Sequence, residues 1–240
     1  MSPQELLRSG QLDAALQALL LEVRNNPADQ RRRTFLFELL CFSGQYDRAR
    51  KHLQILGDAS PDAGVGALLY RSALSAEMKR QLMFESEVPT AGTATASRPG
   101  TLNGQPFETI EDCDPRIGPR LEVFVAGEYI WLPFAHVGTL RMEPPRFLRD
   151  TLWSSVVVTV GPELKGQDFG EVLLPALYPF SWKSASEEVK LGRETVWEQD
   201  GTEVIPYGQK LLLLDEERVV SLLEVRELTF QAAAPAAAGV

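Results

Sequence analysis

The chain has 240 residues and a mass of 26.6 kDa, room for one large domain or two small ones. Hydrophobic residues make up 44% of it and charged residues 24%, so a core forms without covalent staples. The two distant cysteines, Cys41 and Cys113, argue against a disulfide framework or a multi-cysteine zinc site. The net charge of −9 is uneven: residues 1–86 carry 11 cations and 10 anions, residues 87–240 carry 13 and 23, a balance that repels a phosphate backbone and disfavours nucleic-acid binding.

Glu5, Arg8 and Asp13 interrupt the first twenty residues, so no signal peptide is expected there. No apolar run approaches the roughly 18 residues of a membrane-spanning helix. The expected compartment is the reducing cytoplasm, with no membrane partner.

Ser9-Gly10-Gln11 recurs as Ser43-Gly44-Gln45, an offset of 34 residues. The same offset aligns Asp13 with Asp47, Ala15 with Ala49, Leu19 with Leu53 and Pro27 with Pro61. This period is that of the tetratricopeptide repeat. The glycine ends a helix through a left-handed backbone, the alanine permits close helix approach, and the proline marks the next connection. Helices are expected over Pro3–Ser9, Leu12–Asn25, from Asp29 as cap to Phe42, over Tyr46–Leu56, and from about Pro61 to Glu85. No third Ser-Gly-Gln follows, so the last helix is expected to cap the array.

Residues 87–105 are rich in Thr, Ala, Gly and Pro and read as a linker. Beyond them the period becomes alternating. Strands are expected at Leu121–Val125, Tyr129–Leu132, Trp153–Val160, Glu171–Leu174, Glu203–Ile205, Lys210–Leu214 and Leu222–Phe230, with a hairpin at Ala126-Gly127. Turns or short helical pieces are expected at Asp112–Gly118 and Pro145–Asp150. Residues 231–240 read as a disordered tail. The expected fold class is therefore α+β: tetratricopeptide-like hairpins over 1–86, the linker 87–105, and a mostly β domain over 106–230.

The segments GTLNGQPF (100–107), IGPRLEVFVAGEYIWLPF (117–134), EPPRFLRDTLW (143–153), LGRETVW (191–197), GQKLLLLD (208–215) and LLEVRELTF (222–230) occur in this order behind a helical repeat. In this the chain resembles the ImpE/TagJ family of type VI secretion accessory proteins, over about residues 3–230. The resemblance implies a cytoplasmic, non-enzymatic protein. It also implies as partners the small subunit of the contractile sheath, through its N-terminal helix, and the ring ATPase that dismantles contracted sheaths.

Little in the sequence supports catalysis. His52 sits off the apolar stripe of its helix, and His136 in an expected loop has no second histidine at metal-ligand spacing. The H-E-x-x-H, G-x-S-x-G and Walker A patterns are absent. GPELKG (161–166) reads as a turn, because Glu163 would oppose a phosphate. Asp112 and Asp114 flank Cys113 and suppress its thiolate. Glu108, Glu111, Asp112 and Asp114 lack calcium-loop spacing and read as a solvated or capping segment, as do Glu187-Glu188 and Asp215-Glu216-Glu217. Arg31-Arg32-Arg33 reads as a solvated face or as the positive edge of a groove. Tyr129, Trp131, Phe134, Trp153 and Trp197 read as β core. No cofactor and no metal are expected.

The leading function is a protein-interaction adaptor for sheath assembly or disassembly. The alternatives are an enzyme or metal-dependent protein with a site near His136, and a general protein-interaction chaperone. In hairpin arrays of this kind the first helix of each pair lines the concave side. The expected partner-binding face is Arg31, Thr34 and Glu38, with Cys41 further along, beside Val65, Leu68 and Ser72 of the fifth helix. The competing reading is that the β domain covers this face.

Overall fold

The computed structural model describes residues 1–58, 61–86, 97–161, 164 and 169–231, with backbone alone for 61–65. Five helices lead the chain: α1 (Pro3–Arg8), α2 (Leu12–Asn25), α3 (Gln30–Phe42), α4 (Tyr46–Gly57) and α5 (Pro61–Ser86). Each packs on the next in sequence. α1 opens with a capping box between Ser2 and Glu5, and Asp29 caps α3 by accepting the Arg32 N–H at 3.0 Å. Leu12, Leu16, Leu19 and Val23 of α2 meet Leu36, Leu39 and Leu40 of α3 and Leu53 of α4 in the core.

The strands are β1 (Gly100–Leu102), β2 (Gln105–Phe107), β3 (Ile110–Asp112), β4 (Arg120–Val125), β5 (Glu128–Pro133), β6 (Val137–Met142), β7 (Trp153–Val160) and β8 (Gly170–Pro175). After a four-residue helix, α6 (Glu187–Lys190), come β9 (Thr195–Asp200), β10 (Glu203–Gly208), β11 (Leu211–Leu214), β12 (Arg218–Ser221) and β13 (Glu227–Phe230). Eight strands make one antiparallel sheet in the order β2-β1-β13-β6-β7-β8-β4-β5. β12-β11-β3 form a second sheet, and β9 with β10 a separate hairpin. The chain is thus α+β.

Two expectations need correction. The linker was expected to reach residue 105, but β1 and β2 begin at Gly100 and belong to the large sheet. Gly100 pairs with Phe230, where a Cβ would lie 2.3 Å from the Thr229 carbonyl oxygen, so a glycine that reads as linker serves a close strand pairing. Residues 87–96 and 232–240, and most of GPELKG, lie outside the described residues. The expected strand over Leu222–Phe230 is broken: Leu222–Glu224 form a 3-10 turn, initiated by the Ser221 hydroxyl accepting the Leu223 N–H, and β13 starts at Glu227. β3, β6, β9 and β12 were not anticipated.

The sheet has two different faces. Leu121, Val123, Val156, Val158, Val172 and Leu174 point to an inner core that β11 closes with Leu212 and Leu214. Phe124, Trp153 and Leu173 point the other way and enter the core of the helices. β4 is buried on both faces for this reason, which explains why its sequence does not alternate cleanly.

The Ser-Gly-Gln turns explain how the two parts meet. Gly10 and Gly44 both have positive φ, +79° and +67°. A Cβ at Gly10 would lie 1.9 Å from Glu188 Oε1, and one at Gly44 would lie 2.3 Å from Trp182 Cδ2. Both turns therefore receive side chains from the short stretch Trp182–Arg193. Arg193 also donates to the carbonyls of Leu7 (2.7 Å) and Arg8 (3.3 Å), the open end of α1.

Candidate protein-binding cleft

A buried charge network fixes the angle between α5 and the sheet. Arg80 of α5, 1% exposed, donates from Nε and Nη2 to the two oxygens of Glu122 on β4, at 2.7 and 2.9 Å. Lys210 Nζ lies 2.5 Å from Glu122 Oε2 and 2.6 Å from Asp112 Oδ2. Tyr129 donates to Glu122, and Trp153 Nε1 donates to Glu77, which pairs with Arg80. Burial raises the cost of charge on Glu122, but Arg80 and Lys210 more than offset it and hold its carboxyl at about 2. Burial pushes Asp112 up to about 7 against the pull of Lys210, so Asp112 is the weaker acid sharing that cation. This carboxylate, expected in a solvated segment, is buried, as is Asp114, which pairs with Arg116 at 2.6 Å. The network joins the helices to the sheet.

Three neighbouring hollows that share lining residues make up a cleft between the helices and the outer sheet face. One stretch, of about 180 Å³, is lined by Gln30, Thr34 and Glu38 of α3 and by Ala67 and Tyr70 of α5. It meets, at Tyr70 and Arg149, a wide stretch of about 990 Å³ along Phe147, Ser155, Val157 and Glu171. A third stretch, of about 210 Å³, joins at Ser155 and Glu171 and is walled by Leu69, Ser72 and the Ala126–Gly127 turn. The cause lies in β7. Trp153, Ser155 and Val157 share one face; the helices cover Trp153 but leave Ser155 and Val157 exposed.

Arg149 stands at the centre of the cleft. Its guanidinium lies 4.2 Å from the Phe147 ring centroid and 5.3 Å from that of Tyr70, and pairs with Glu38 at 3.6 Å. Burial pushes the Glu38 carboxyl up to about 7, with Arg149 only partly opposing. Tyr70, Phe37 and Trp153 form an aromatic chain beneath, with centroids 6.1 and 6.3 Å apart.

The residues expected on the binding face divide. Thr34, Glu38 and Ser72 line the cleft. Arg31 is exposed but does not line it, and Leu68, 62% exposed, sits one turn before Ser72. The side chain of Val65 lies outside the described residues. Cys41 is 2% exposed, and Glu38 7%: Trp153 and Arg149 close the lower half of the face, so the expected open surface shortens to its upper half. Phe147, Arg149 and Val157, all from the β part, were not anticipated. The EPPRF segment that carries Phe147 gave the only sequence signal, an exposed-looking aromatic between arginines.

Other candidates resolve individually. Arg33 is buried, bonding the Pro27 carbonyl and His52 Nδ1; Arg32 is partly exposed and pairs with Glu22 and Asp29, and Arg31 is exposed. His136 ends a 3-10 turn and its carbonyl accepts the Gly161 N–H at 2.8 Å. Burial, with Asp112 nearby, pushes the Cys113 thiol up to about 12. Trp197, expected in the core, is 49% exposed. Glu187 and Asp215, expected as solvated turns, accept backbone N–H groups of Asp13, and of Glu108 and Thr109. Among the described residues no group of three or more His, Cys, Asp or Glu side chains could hold a metal, and no helix is long and apolar enough to cross a membrane.

Residues 104–229, which include the Trp182–Arg193 clamp and the β wall of the cleft, match the family model described as ImpE protein. The chain is 31% identical, over 96% of its length and 92% of the relative's, to the type VI secretion system accessory component TagJ of Pseudomonas aeruginosa. The chain belongs to the ImpE/TagJ family. Its fold is shared with the crystal structure of protein VPA1032 from Vibrio parahaemolyticus, at a TM-score of 0.81 and 25% identity, covering 95% of this chain and 97% of that one. The ImpE match starts after the helices, but both full-length likenesses include them. The helical part is therefore shared with these relatives.

Proposed function

We propose that the protein is a non-enzymatic, cytoplasmic adaptor of the type VI secretion apparatus that holds the N-terminal helix of the small sheath subunit in the cleft. On this reading it assists sheath assembly or disassembly with the ring ATPase. The observation that carries the proposal is the cleft itself. Exposed Leu69, Phe147 and Val157 offer an apolar surface, with Arg149 at its centre and Glu171 beside it, along the helical array. Such a surface suits an amphipathic helix, whose apolar side supplies affinity and whose charges set register. The helices, read as tetratricopeptide-like hairpins over residues 1–86, act as scaffold and the β part as the opposing wall.

Mixing the purified protein with the sheath subunits and with the ATPase, followed by size-exclusion chromatography, tests this reading. Co-migration with the small sheath subunit supports it. Co-migration with neither partner contradicts it.

A further inference from the structure

A second surface, sharing no lining residue with the cleft, runs along α4 and α5. It is a groove of about 570 Å³ whose apolar side is Leu74, Met78 and the 61% exposed Leu82, and whose border carries Arg50, Arg71 and Lys79 against Asp58; Arg50 also pairs with Asp47 and Lys79 with Glu128, both at the surface. α4 reinforces the sign, with Arg48, Arg50 and Lys51 against Asp47 alone.

The β9–β10 hairpin has the opposite character. Residues 194–207 carry Glu194, Glu198, Asp200 and Glu203 and no lysine or arginine. The pairing of Trp197 with Pro206 and of Gln199 with Val204 puts Trp197 and Val204 on one face. Glu198, Asp200 and Glu203 occupy the other. Trp197 and Val204 are 49% and 50% exposed, and no described cation pairs with those three carboxylates.

We infer that two copies of the chain associate head to tail, the acidic hairpin of one seating in the basic-rimmed α4–α5 groove of the next. The occupant is a second copy because the chain carries both halves of the match: an apolar Trp197–Val204 face on a hairpin of four carboxylates and no cation, and an apolar groove whose border carries Arg50, Arg71 and Lys79 against Asp58. An exposed tryptophan gains most by entering a groove that sheds its water. The two patches differ, so the contact is heterologous and builds rings or open chains rather than a twofold dimer. The association is independent of sheath binding, which uses the cleft.

Sedimentation equilibrium of the full chain tests the inference. The hairpin variant Trp197→Ser/Val204→Ser and the groove variant Arg50→Glu/Leu82→Glu alter only exposed side chains, and circular dichroism verifies their folding. Wild type is expected to rise above its 26.6 kDa chain mass as concentration increases, and less steeply at high salt. Each variant alone is expected to stay at the chain mass. An equimolar mixture is expected to reach twice that mass, because one intact contact remains between the groove of one variant and the hairpin of the other. Wild type that stays at the chain mass at high micromolar concentration overturns the inference. So does a mixture that remains at the chain mass, or association that survives both variants.

Discussion

Glu187 caps α2 from the far end of the chain: its Oε1 accepts the backbone N–H of Asp13 at 2.7 Å, across 174 residues of sequence. α2 needs this partner because its own N-cap residue, Gln11, makes no side-chain cap. Lys190 stands 3.8 Å from the Asp13 carboxylate, so α6 contacts the same turn twice. Glu187→Ala is expected to cost about 1 kcal/mol, the usual worth of a helix cap. Urea denaturation measures the loss, and faster hydrogen exchange at the Asp13 amide locates it. An unchanged Asp13 amide would show that the cap is not made in solution.

The two turn glycines are expected to differ in tolerance. Both would be strained as alanine, by about 1–2 kcal/mol, because both are left-handed. At Gly10 the obstructing atoms end a flexible glutamate, whereas at Gly44 they belong to the Trp182 ring. Gly44→Ala should therefore destabilise the fold more than Gly10→Ala and change the tryptophan fluorescence. Equal losses with unchanged fluorescence would mean that Trp182 does not pack there.

Much of this was legible in the sequence and some was not. The 34-residue offset located α2 and α4, which each bury a stripe with a helical period, whereas α3 buries the unbroken run Leu36–Phe42 and α5 shows no such period. The glycines were read correctly as helix ends, but their second role was hidden. Nothing in Ser-Gly-Gln reveals that Trp182 and Glu188 will arrive from more than a hundred residues away. The same non-local cause turned Gly100 from linker into strand and took Asp112 out of solvent. Thr34, Glu38 and Ser72 could be placed on the cleft by helical phase alone. Phe147 and Arg149 could not, since no periodicity links the β part to α3.

The charge network predicts a sign that a surface ion pair would not give. Glu122→Gln leaves Arg80 buried against a neutral amide and is expected to cost roughly 3–5 kcal/mol. The double change Arg80→Met/Glu122→Leu removes both charges and is expected to recover part of that loss. A double variant worse than the single one would contradict the assignment of Glu122 as the partner of Arg80. Chemical denaturation of the three proteins measures it.

Glu38 makes stability depend on pH in a definite direction. Its folded pKa, about 7, lies above the unfolded value near 4.5. The native state therefore holds more protons between these values, and the contribution of Glu38 is full below about 4.5 and lost as pH rises through 7. Glu38→Gln is expected to raise the melting temperature relative to wild type well above pH 7 and to change it little near pH 4.5. An equal shift at both pH values would mean that Glu38 titrates normally.

Calorimetry measures whether the sheath helix enters the cleft between α3, α5 and β7, as proposed. The full chain is titrated with a peptide of the N-terminal helix of the small sheath subunit, as wild type and as Leu69→Asp/Val157→Asp, two exposed cleft positions. Saturable binding by wild type, weakened at least tenfold in the variant while its circular dichroism is unchanged, is the predicted result. Equal affinity in both proteins would place the helix elsewhere and contradict the account.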